Sequence, residues 1–479
     1  MSQICHNTFP SLSTPSNHSE NPSIAKLDTI QSESLPDNTV NGRRIIRENG
    51  LSATATLINF LKGVVGGPGC LSIALGFKHA GLWAGFAIVF VFGFLNNYCM
   101  LQLVHCARHL AKRKGDVPLD YGTVAYEACA NSFSWLRPHK RKARIIVNIS
   151  ILAMQVGICS VFYVFITVHL KLVFKETCNF ELPSPIWMLI IAPFLIVINQ
   201  TKNLRVIAIF SASSHMVMFI CLIVVFQEIL RSPHTRTSDL PWFGTFDGFT
   251  SAAGAILYAF EGTAMVLPLE NKLKHPDDML GPVGVLSTGM NLVSILYAAC
   301  GFYGYITYAN KVKGSIALNL PNEPIFYALD GMLCFVVYTG YVIQAYVIIE
   351  MLWPEFQKRV VDKFGFNQRS HAYFECLFRA LVVLLTMAIA MGIPNLEEII
   401  PLVGVTAGMT IAFVLPPTID TIVFLPEMLA EMKKEESFKI PWRLIGKMTQ
   451  NILLASVGIF GLVAGLQSTI RSLINGNDE

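Results

Sequence analysis

The sequence predicts an all-α polytopic membrane protein, and its composition, its apolar segments and its charge distribution carry that prediction. Hydrophobic residues make up 53% of the 479 residues and charged residues only 14%, whereas a soluble domain usually has about 25% charged residues. Eleven apolar segments approach or exceed the roughly 20 residues that a membrane-spanning helix needs. Since so few polar side chains are available to cover a soluble surface, the lipid bilayer is the expected solvent.

The chain divides into two tails and one apolar domain. Residues 1–50 are rich in Ser, Pro, Asn and Thr and are expected to form a disordered cytoplasmic tail. A transmembrane domain is expected over 51–472, followed by a short C-terminal tail at 473–479. The predicted membrane segments, called span one to span eleven below, lie at 53–78, 82–105, 145–170, 184–199, 204–229, 247–268, 282–308, 324–352, 371–393, 396–424 and 449–470.

Lysine and arginine orient these spans. With the N-terminus placed in the cytoplasm, 27 of the 36 Lys and Arg residues fall in cytoplasmic segments, and only eight fall on the opposite side or at its membrane edge. The densest group, at 112–114 and 137–144, follows span two. Because cytoplasmic loops of membrane proteins carry the excess of basic residues, the N-terminus is predicted to be cytoplasmic.

Span one contains a segment that cannot remain a regular helix. Residues 63–69 read Gly-Val-Val-Gly-Gly-Pro-Gly. Glycine raises the entropic cost of a helix, and proline removes a donor and clashes with the preceding turn. A β-branched side chain at Gly66 or Gly69 would obstruct exposed N–H groups and resist a positive φ. Unwound backbone at membrane depth lines a cavity or is buried in protein, so the predicted substrate-binding residues here are Gly63, Val65, Gly66, Gly67 and Gly69.

Span six carries a lone carboxylate, Glu261, beside Gly262, where its helix is expected to break. An ionisable residue inside a membrane segment is costly and usually faces a polar interior. Spans one and six each open a set of five spans, and on this topology they cross the membrane in opposite directions. Paired broken helices in two inverted halves indicate a substrate site near the midplane of the bilayer.

Such a site suits a zwitterion, because it offers groups for both charges. The half-helix beginning near Gly69 would point free N–H groups at a carboxylate, and Glu261 with exposed carbonyl oxygens would suit an ammonium group. Phe260, Glu261 and Gly262 are therefore substrate-binding candidates, and Glu261 is also the candidate for proton coupling. Tyr341 and Gln344 share one face of span eight, which either lines this pocket or packs against a neighbour.

Other function classes lack their motifs. The eleven cysteines include no CxxC and no Cys/His cluster with metal spacing, so no metal or cofactor is expected. We find no nucleophile–base motif of an enzyme and no repeated filter sequence of a channel. The small net charge of +4 gives no indication of a nucleic-acid partner. His169 and His215 lie in the apolar spans three and five and are interpreted as interior histidines with satisfied hydrogen bonds.

Several motifs occur in one order along residues 51–470. They are Asp-Tyr-Gly at 120–122, Gln-Val-Gly at 155–157, Asn-Leu-Arg at 203–205, Phe-Glu-Gly at 260–262, Val-Leu-Pro-Leu-Glu-Asn-Lys at 266–272 and Gly-Ser-Ile-Ala-Leu-Asn-Leu-Pro-Asn at 314–322. Together they resemble the proton-coupled amino acid transporter family, which belongs to the wider amino acid/auxin permease family. The resemblance implies eleven transmembrane helices: a five-plus-five inverted repeat with broken first and sixth helices, plus one extra helix.

The resemblance also implies a function. It implies symport of protons with small neutral amino acids such as glycine, alanine and proline, by alternating access across the lipid bilayer. It adds Gln155, on the inner face of span three, to the substrate-binding candidates. Either the plasma membrane or an endolysosomal membrane such as that of the lysosome is compatible with the sequence.

Two positions depart from the family pattern. The family has histidine where this chain has Asn59, three residues before Lys62, and asparagine cannot titrate near neutral pH. A facilitative carrier and a lysosomal amino acid sensor with little proton coupling therefore stay open as alternatives. Cys178 matches the first of an external cysteine pair, whereas Glu323 stands where the second is expected.

Overall fold

The computed structural model describes residues 47, 50–201, 204–358, 368–434 and 442–475. Most of the predicted N-terminal tail therefore lies outside the described residues, and so does most of the predicted C-terminal tail. The domain boundaries at 50 and 472 stay predictions. Within these ranges the regular structure is helical, with a single isolated β-bridge between Leu51 and Leu273.

Fifteen α-helices make up this part of the chain. In order they are α1 (Ala53–Val65), α2 (Gly69–Ala80), α3 (Leu82–Arg113), α4 (Tyr121–Ala130), α5 (Lys140–Cys178), α6 (Ser184–Asn199), α7 (Leu204–Arg231), α8 (Phe246–Ala259), α9 (Thr263–Lys272), α10 (Val285–Tyr308), α11 (Pro324–Phe356), α12 (Gln368–Gly392), α13 (Leu396–Val403), α14 (Leu415–Lys434) and α15 (Trp442–Asn475). Two π-helical segments, Gly404–Gly408 and Thr410–Val414, connect α13 to α14.

The predicted fold class is confirmed in the described ranges. Nine helices there are long and apolar enough to cross a membrane, where α8 with α9 and α13 with α14 each count as one. The pair α1 and α2 passes the same test but bends by 56° at its break, and α6 is a shorter apolar helix of 16 residues. These elements correspond one by one to the eleven predicted spans, and α4 is a short additional helix after span two.

Spans six and ten lie at the centre of the bundle. The apolar window of span six is 72% buried and that of span ten 78%, against 28% in spans five and eleven. α8 packs on α2 and on the first π-helical segment. There a Cβ on Gly404 would lie 1.8 Å from the carbonyl oxygen of Gly254, so only glycine lets these two backbones meet. The broken span six is thereby enclosed by protein rather than lipid.

A polar network attaches span eleven to the bundle. Asn451 of α15 donates to a carboxylate oxygen of Asp420 on α14 at 2.8 Å and accepts from Gln102 of α3 at 2.7 Å. Lys447 lies 3.2 Å from the same carboxylate. Interhelical hydrogen bonds between polar side chains help to hold membrane helices together, because lipid tails are as apolar as the side chains and leave no hydrophobic driving force between helices.

Candidate functional site

The break in span one is local and follows from its sequence. α1 ends at Val65, and the N–H of Gly66 donates to the carbonyl oxygen of Lys62 at 3.0 Å. α2 begins at Gly69, directly after Pro68. Proline is favourable at a helix start and unfavourable in a helix interior, so the chain stops one helix before it and starts another after it. The predicted start of a half-helix near Gly69 agrees with this geometry.

The glycines of this break serve close approach rather than a left-handed backbone. Gly66 has φ −72° and ψ −3°, and the described glycines with positive φ are Gly81, Gly115 and Gly281. The expectation of a positive φ at Gly66 and Gly69 is therefore wrong. A Cβ on Gly69 would instead lie 2.8 Å from the Cα of Ala259. Span one and span six thus cross with their backbones in contact at their breaks.

The break in span six spans three residues. α8 ends at Ala259 and α9 begins at Thr263, which leaves Phe260, Glu261 and Gly262 outside regular helix. Asn96 of span two donates to the carbonyl oxygen of Phe260 at 3.3 Å and accepts from the Thr263 hydroxyl at 3.3 Å. Asn96 was not among the predicted site residues, although an asparagine inside an apolar span is the signal that marks it.

Tyr297 of span seven joins the two breaks. Its hydroxyl lies 3.0 Å from the carbonyl oxygen of Val64 in span one and 2.9 Å from that of Ala259 in span six. Its ring packs 5.1 Å from the ring of Phe260, centroid to centroid, and the residue is fully buried. One hydroxyl therefore shares its proton between backbone oxygens that the helix breaks leave without helical partners. Tyr297 was also not predicted.

A small, partly open pocket lies beside the break of span six. Of the predicted residues, Phe260, Glu261 and Gly262 line it. Among the described residues, none donates a hydrogen bond to the Glu261 carboxyl group or forms an ion pair with it. Glu261 is partly exposed and lines this pocket. The remaining lining comes from spans two, three, six and ten: Asn96, Met154, Leu257, Thr263, Ala264, Gly408, Ile411 and Ala412.

The other predicted site residues do not line this pocket. Gly66 and Gly69 lie at the break of span one, where Gly69 meets α8. The buried Tyr341 hydroxyl pairs with the Thr386 hydroxyl of span nine at 2.7 Å, so its polar end is engaged there. Gln155 is buried, and its side-chain oxygen has no partner among the described residues. A role for these residues in binding stays a prediction, as it does for Gln344.

His169 makes a buried contact between spans three and eight. Its Nδ1 lies 2.8 Å from a carboxylate oxygen of Asp330, and its ring stacks on Phe165 with centroids 4.0 Å apart. Its Nε2 has no partner in the part of the chain that the structure describes. The interpretation as an interior histidine holds for Nδ1, whereas Nε2 lacks the expected hydrogen bond.

Comparisons with known proteins agree with this architecture. A profile described as transmembrane amino acid transporter protein matches residues 49–440. The chain is 32% identical over 411 residues to the "Probable amino acid transporter skat-1" of Caenorhabditis elegans, covering 85% of this chain and 87% of that protein. It is 25% identical over 423 residues to the "Proton-coupled amino acid transporter-like protein pathetic" of Drosophila melanogaster, covering 88% and 84%.

Among solved structures, a similar fold is that of Mhp1, a nucleobase-cation-symport-1 family transporter in a closed conformation. The TM-score is 0.50 over 91% of this chain and 95% of Mhp1, at 10% identity, so the likeness concerns the fold alone. It supports the inverted-repeat architecture. The profile match covers most of the chain, and both relatives are named as transporters rather than enzymes. The chain therefore belongs to the transmembrane amino acid transporter protein family.

Proposed function

We propose that this amino acid transporter carries small neutral amino acids together with protons, by alternating access. The observation that carries the proposal is the Glu261 carboxyl group, which faces a small pocket beside the crossing of two broken spans and has no partner among the described residues. A charged carboxylate without a partner is costly inside a protein. Glu261 is therefore suited to hold either a proton or the ammonium group of a bound substrate.

The pocket favours a small zwitterion. The pocket is small in this conformation, and a compact substrate needs the least further opening to enter it. The N-terminus of α2, whose first N–H groups lack helical acceptors, lies at the neighbouring break of span one, and an opening between the two breaks would let it meet the carboxylate of the substrate. Its ammonium group would face Glu261. Glycine, alanine and proline fit this description because their side chains are small and uncharged.

Two further arguments support coupling and membrane placement. The Drosophila relative is named as proton-coupled amino acid transporter-like, which supports proton coupling in this chain. The 27 basic residues on one side support a cytoplasmic N-terminus by the positive-inside rule. We propose the plasma membrane or an endolysosomal membrane such as that of the lysosome as its location.

The test is uptake of labelled amino acids by purified protein in proteoliposomes. We expect glycine, alanine and proline to accumulate when the outside is acidic, and to exchange without accumulating when the pH is equal on both sides. Larger amino acids such as tryptophan serve as the size control. Exchange without any effect of the pH gradient would identify a facilitative carrier. The absence of both exchange and accumulation for the whole panel would contradict the proposed function.

A further inference from the structure

The start of span three carries a dense basic segment. Residues 137–144 read Arg-Pro-His-Lys-Arg-Lys-Ala-Arg, and they form a short 3-10 turn followed by the first residues of α5. Five of these eight residues are lysine or arginine, and the sequence has no aspartate or glutamate between Glu127 and Glu176. The positive charge of this segment is therefore not balanced by acidic neighbours along the chain.

Three of the five basic side chains have no partner in the part of the chain that the structure describes. Arg137 donates to a backbone carbonyl oxygen five residues earlier at 3.1 Å, and the Lys140 ammonium lies 5.1 Å from the centroid of a tyrosine ring of α4. Arg141, Lys142 and Arg144 are exposed and make neither a hydrogen bond nor an ion pair with a described side chain. Their charges are available to a ligand.

The same face of α5 becomes apolar within one turn. Ile145, Ile146 and Ile149 are 55%, 55% and 59% exposed, and they follow Arg141 and Lys142 at the three- and four-residue spacing of one helix face. Exposed isoleucines of a membrane span face lipid tails. Since a helix rises about 1.5 Å per residue, the charges lie about 6 Å from the first isoleucine along the axis. This places them at the depth of the lipid headgroups.

An exposed aromatic pair precedes the basic segment. Trp135 is 68% exposed, and its ring stacks on that of Phe133 with centroids 6.3 Å apart and planes at 12°. Tryptophan is enriched where a membrane meets water, because its ring is apolar and its N–H is polar. The aromatic pair therefore indicates the same headgroup depth as the change from basic to apolar residues along α5.

The opposite end of α5 differs in its charge. Lys171 and Lys175 lie there, but Glu176 follows them directly and Lys175 forms an ion pair with Glu181. The surplus of positive charge is thus confined to one end of span three. In the predicted topology that end is cytoplasmic, and the cytoplasmic leaflet is the one that carries anionic lipids.

We propose that residues 137–144, together with Trp135, bind the headgroup of an anionic phospholipid of the cytoplasmic leaflet. Such a lipid meets both parts of this surface, with its phosphate on the basic side chains and its acyl chains on the exposed isoleucines. A soluble anion or an acidic protein segment would meet the charges alone. Binding at this surface does not depend on which substrate the pocket takes.

The experiment measures lipid binding to the purified full-length chain in a non-ionic detergent. Dioctanoyl phosphatidylserine is titrated, with dioctanoyl phosphatidylcholine as the probe of equal chain length and no net charge. Native mass spectrometry gives the fraction of protein that retains lipid. Each basic residue near an anionic surface contributes about fivefold to binding. We therefore expect Arg141→Gln/Lys142→Gln/Arg144→Gln to bind phosphatidylserine at least tenfold more weakly than the parent and to bind phosphatidylcholine equally.

Two control variants separate this site from charge in general and from misfolding. Arg141→Lys/Arg144→Lys keeps both charges and should bind phosphatidylserine within about twofold of the parent. Lys171→Gln/Lys175→Gln/Lys311→Gln removes three charges at the opposite face and should also bind within about twofold. Because a ligand of the folded state raises its unfolding temperature, phosphatidylserine should stabilise the parent and both controls more than the Gln variant of 141, 142 and 144.

Four outcomes would overturn the proposal. One is equal affinity of the parent for phosphatidylserine and phosphatidylcholine, and another is equal affinity of the parent and the Gln variant of 141, 142 and 144 for phosphatidylserine. Displacement of bound phosphatidylserine by inorganic phosphate at equal concentration would identify a site for soluble anions. Binding of polyglutamate without binding of phosphatidylserine would assign the surface to an acidic protein segment.

Discussion

Glu261 differs from the other carboxyl groups inside the bundle. Glu270 lies 3.1 Å from Arg108, Asp330 lies 2.8 Å from His169, and the carboxylate of Asp420 accepts from Asn451 and lies beside Lys447. Each of these has a partner that offsets its desolvation. Glu261 has none among the described residues, and a group left without a partner in a pocket is a candidate for ligand binding. Sequence alone indicated its importance because it is the carboxylate beside the expected break.

We predict that Glu261→Gln abolishes proton-driven uptake while the protein remains folded. Glutamine has nearly the same shape but cannot hold a proton at this position or balance the charge of an ammonium group. Accumulation under an acid-outside gradient should fall at least tenfold, and the remaining transport should not vary between pH 5.5 and 7.5. Size-exclusion chromatography and thermal unfolding of the purified variant serve as controls for folding. Uptake with the amount and pH profile of the parent would contradict the role of Glu261.

We predict that Cys178 is a free thiol on the side opposite the N-terminus. It ends α5, is exposed, and has no disulfide partner among the described cysteines. In sealed vesicles that expose the extracytoplasmic face, a membrane-impermeant maleimide should label Cys178 without reductant. Cys376 is also exposed but lies at the opposite end of the bundle in the predicted topology, and it should react only after permeabilisation. A requirement for reductant, or the reverse order of labelling, would show that the pairing or the orientation is wrong.

At the scale of elements, the breaks follow from local composition, whereas their contacts do not. Glycine and proline at 66–69 are enough to predict the end of α1 and the start of α2. That Gly69 meets Ala259, and that Tyr297 reaches both breaks, depends on which helices become neighbours. Periodicity also missed the π-helical segments of span ten, because Gly404–Gly408 reads as an ordinary apolar helix in one dimension. These segments place Gly408 and Ile411 at the pocket.

We predict different effects of the same substitution at two glycines of one break. Gly69→Ala places a Cβ 2.8 Å from a backbone atom of Ala259, so α2 and α8 must separate. Gly67→Ala places its Cβ 3.7 Å from the Phe162 ring, an ordinary contact. Overpacking of a tight core typically costs about 1–3 kcal/mol. Binding of labelled amino acid to purified protein should fall at least tenfold for Gly69→Ala and stay within twofold for Gly67→Ala; equal binding by both would show that the crossing tolerates separation.

At the scale of the whole molecule, composition and the distribution of charge were sufficient to predict the fold class. Each predicted span contains a helix for two reasons. The thickness of the bilayer fixes the length of an apolar segment, and a helix satisfies the hydrogen bonds of its backbone within that segment. The pocket was only partly predictable, since residues of spans two, three and ten meet those of span six there. Met154 carries no local signal for that meeting, and Asn96 is marked only as a polar residue inside an apolar span, because which helices meet there is a property of the packed bundle.

The N-terminal edge of the described domain gives a last prediction. The Arg47 N–H donates to the carbonyl oxygen of Lys274 at 2.9 Å, and the Arg47 guanidinium contacts the Glu270 carbonyl oxygen and lies 3.7 Å from its carboxylate. Leu51 exchanges backbone hydrogen bonds with Lys272 and Lys274 at 2.7 and 2.8 Å. These contacts attach the start of span one to the end of span six, the two broken spans of the site.

We expect removal of residues 1–46 to leave uptake within twofold of the parent, because Arg47 is the first described residue and already makes these contacts. Removal of residues 1–51 eliminates the backbone pairing with 272–274 and leaves Glu270, which is 3% exposed, with Arg108 alone. Loss of one partner from a buried ion pair costs about 3–5 kcal/mol when no other partner remains, so the cost here is smaller. The temperature of thermal unfolding and the uptake in proteoliposomes should both fall in the longer deletion only. A decline of the same size in the shorter deletion would place an essential contact before Arg47.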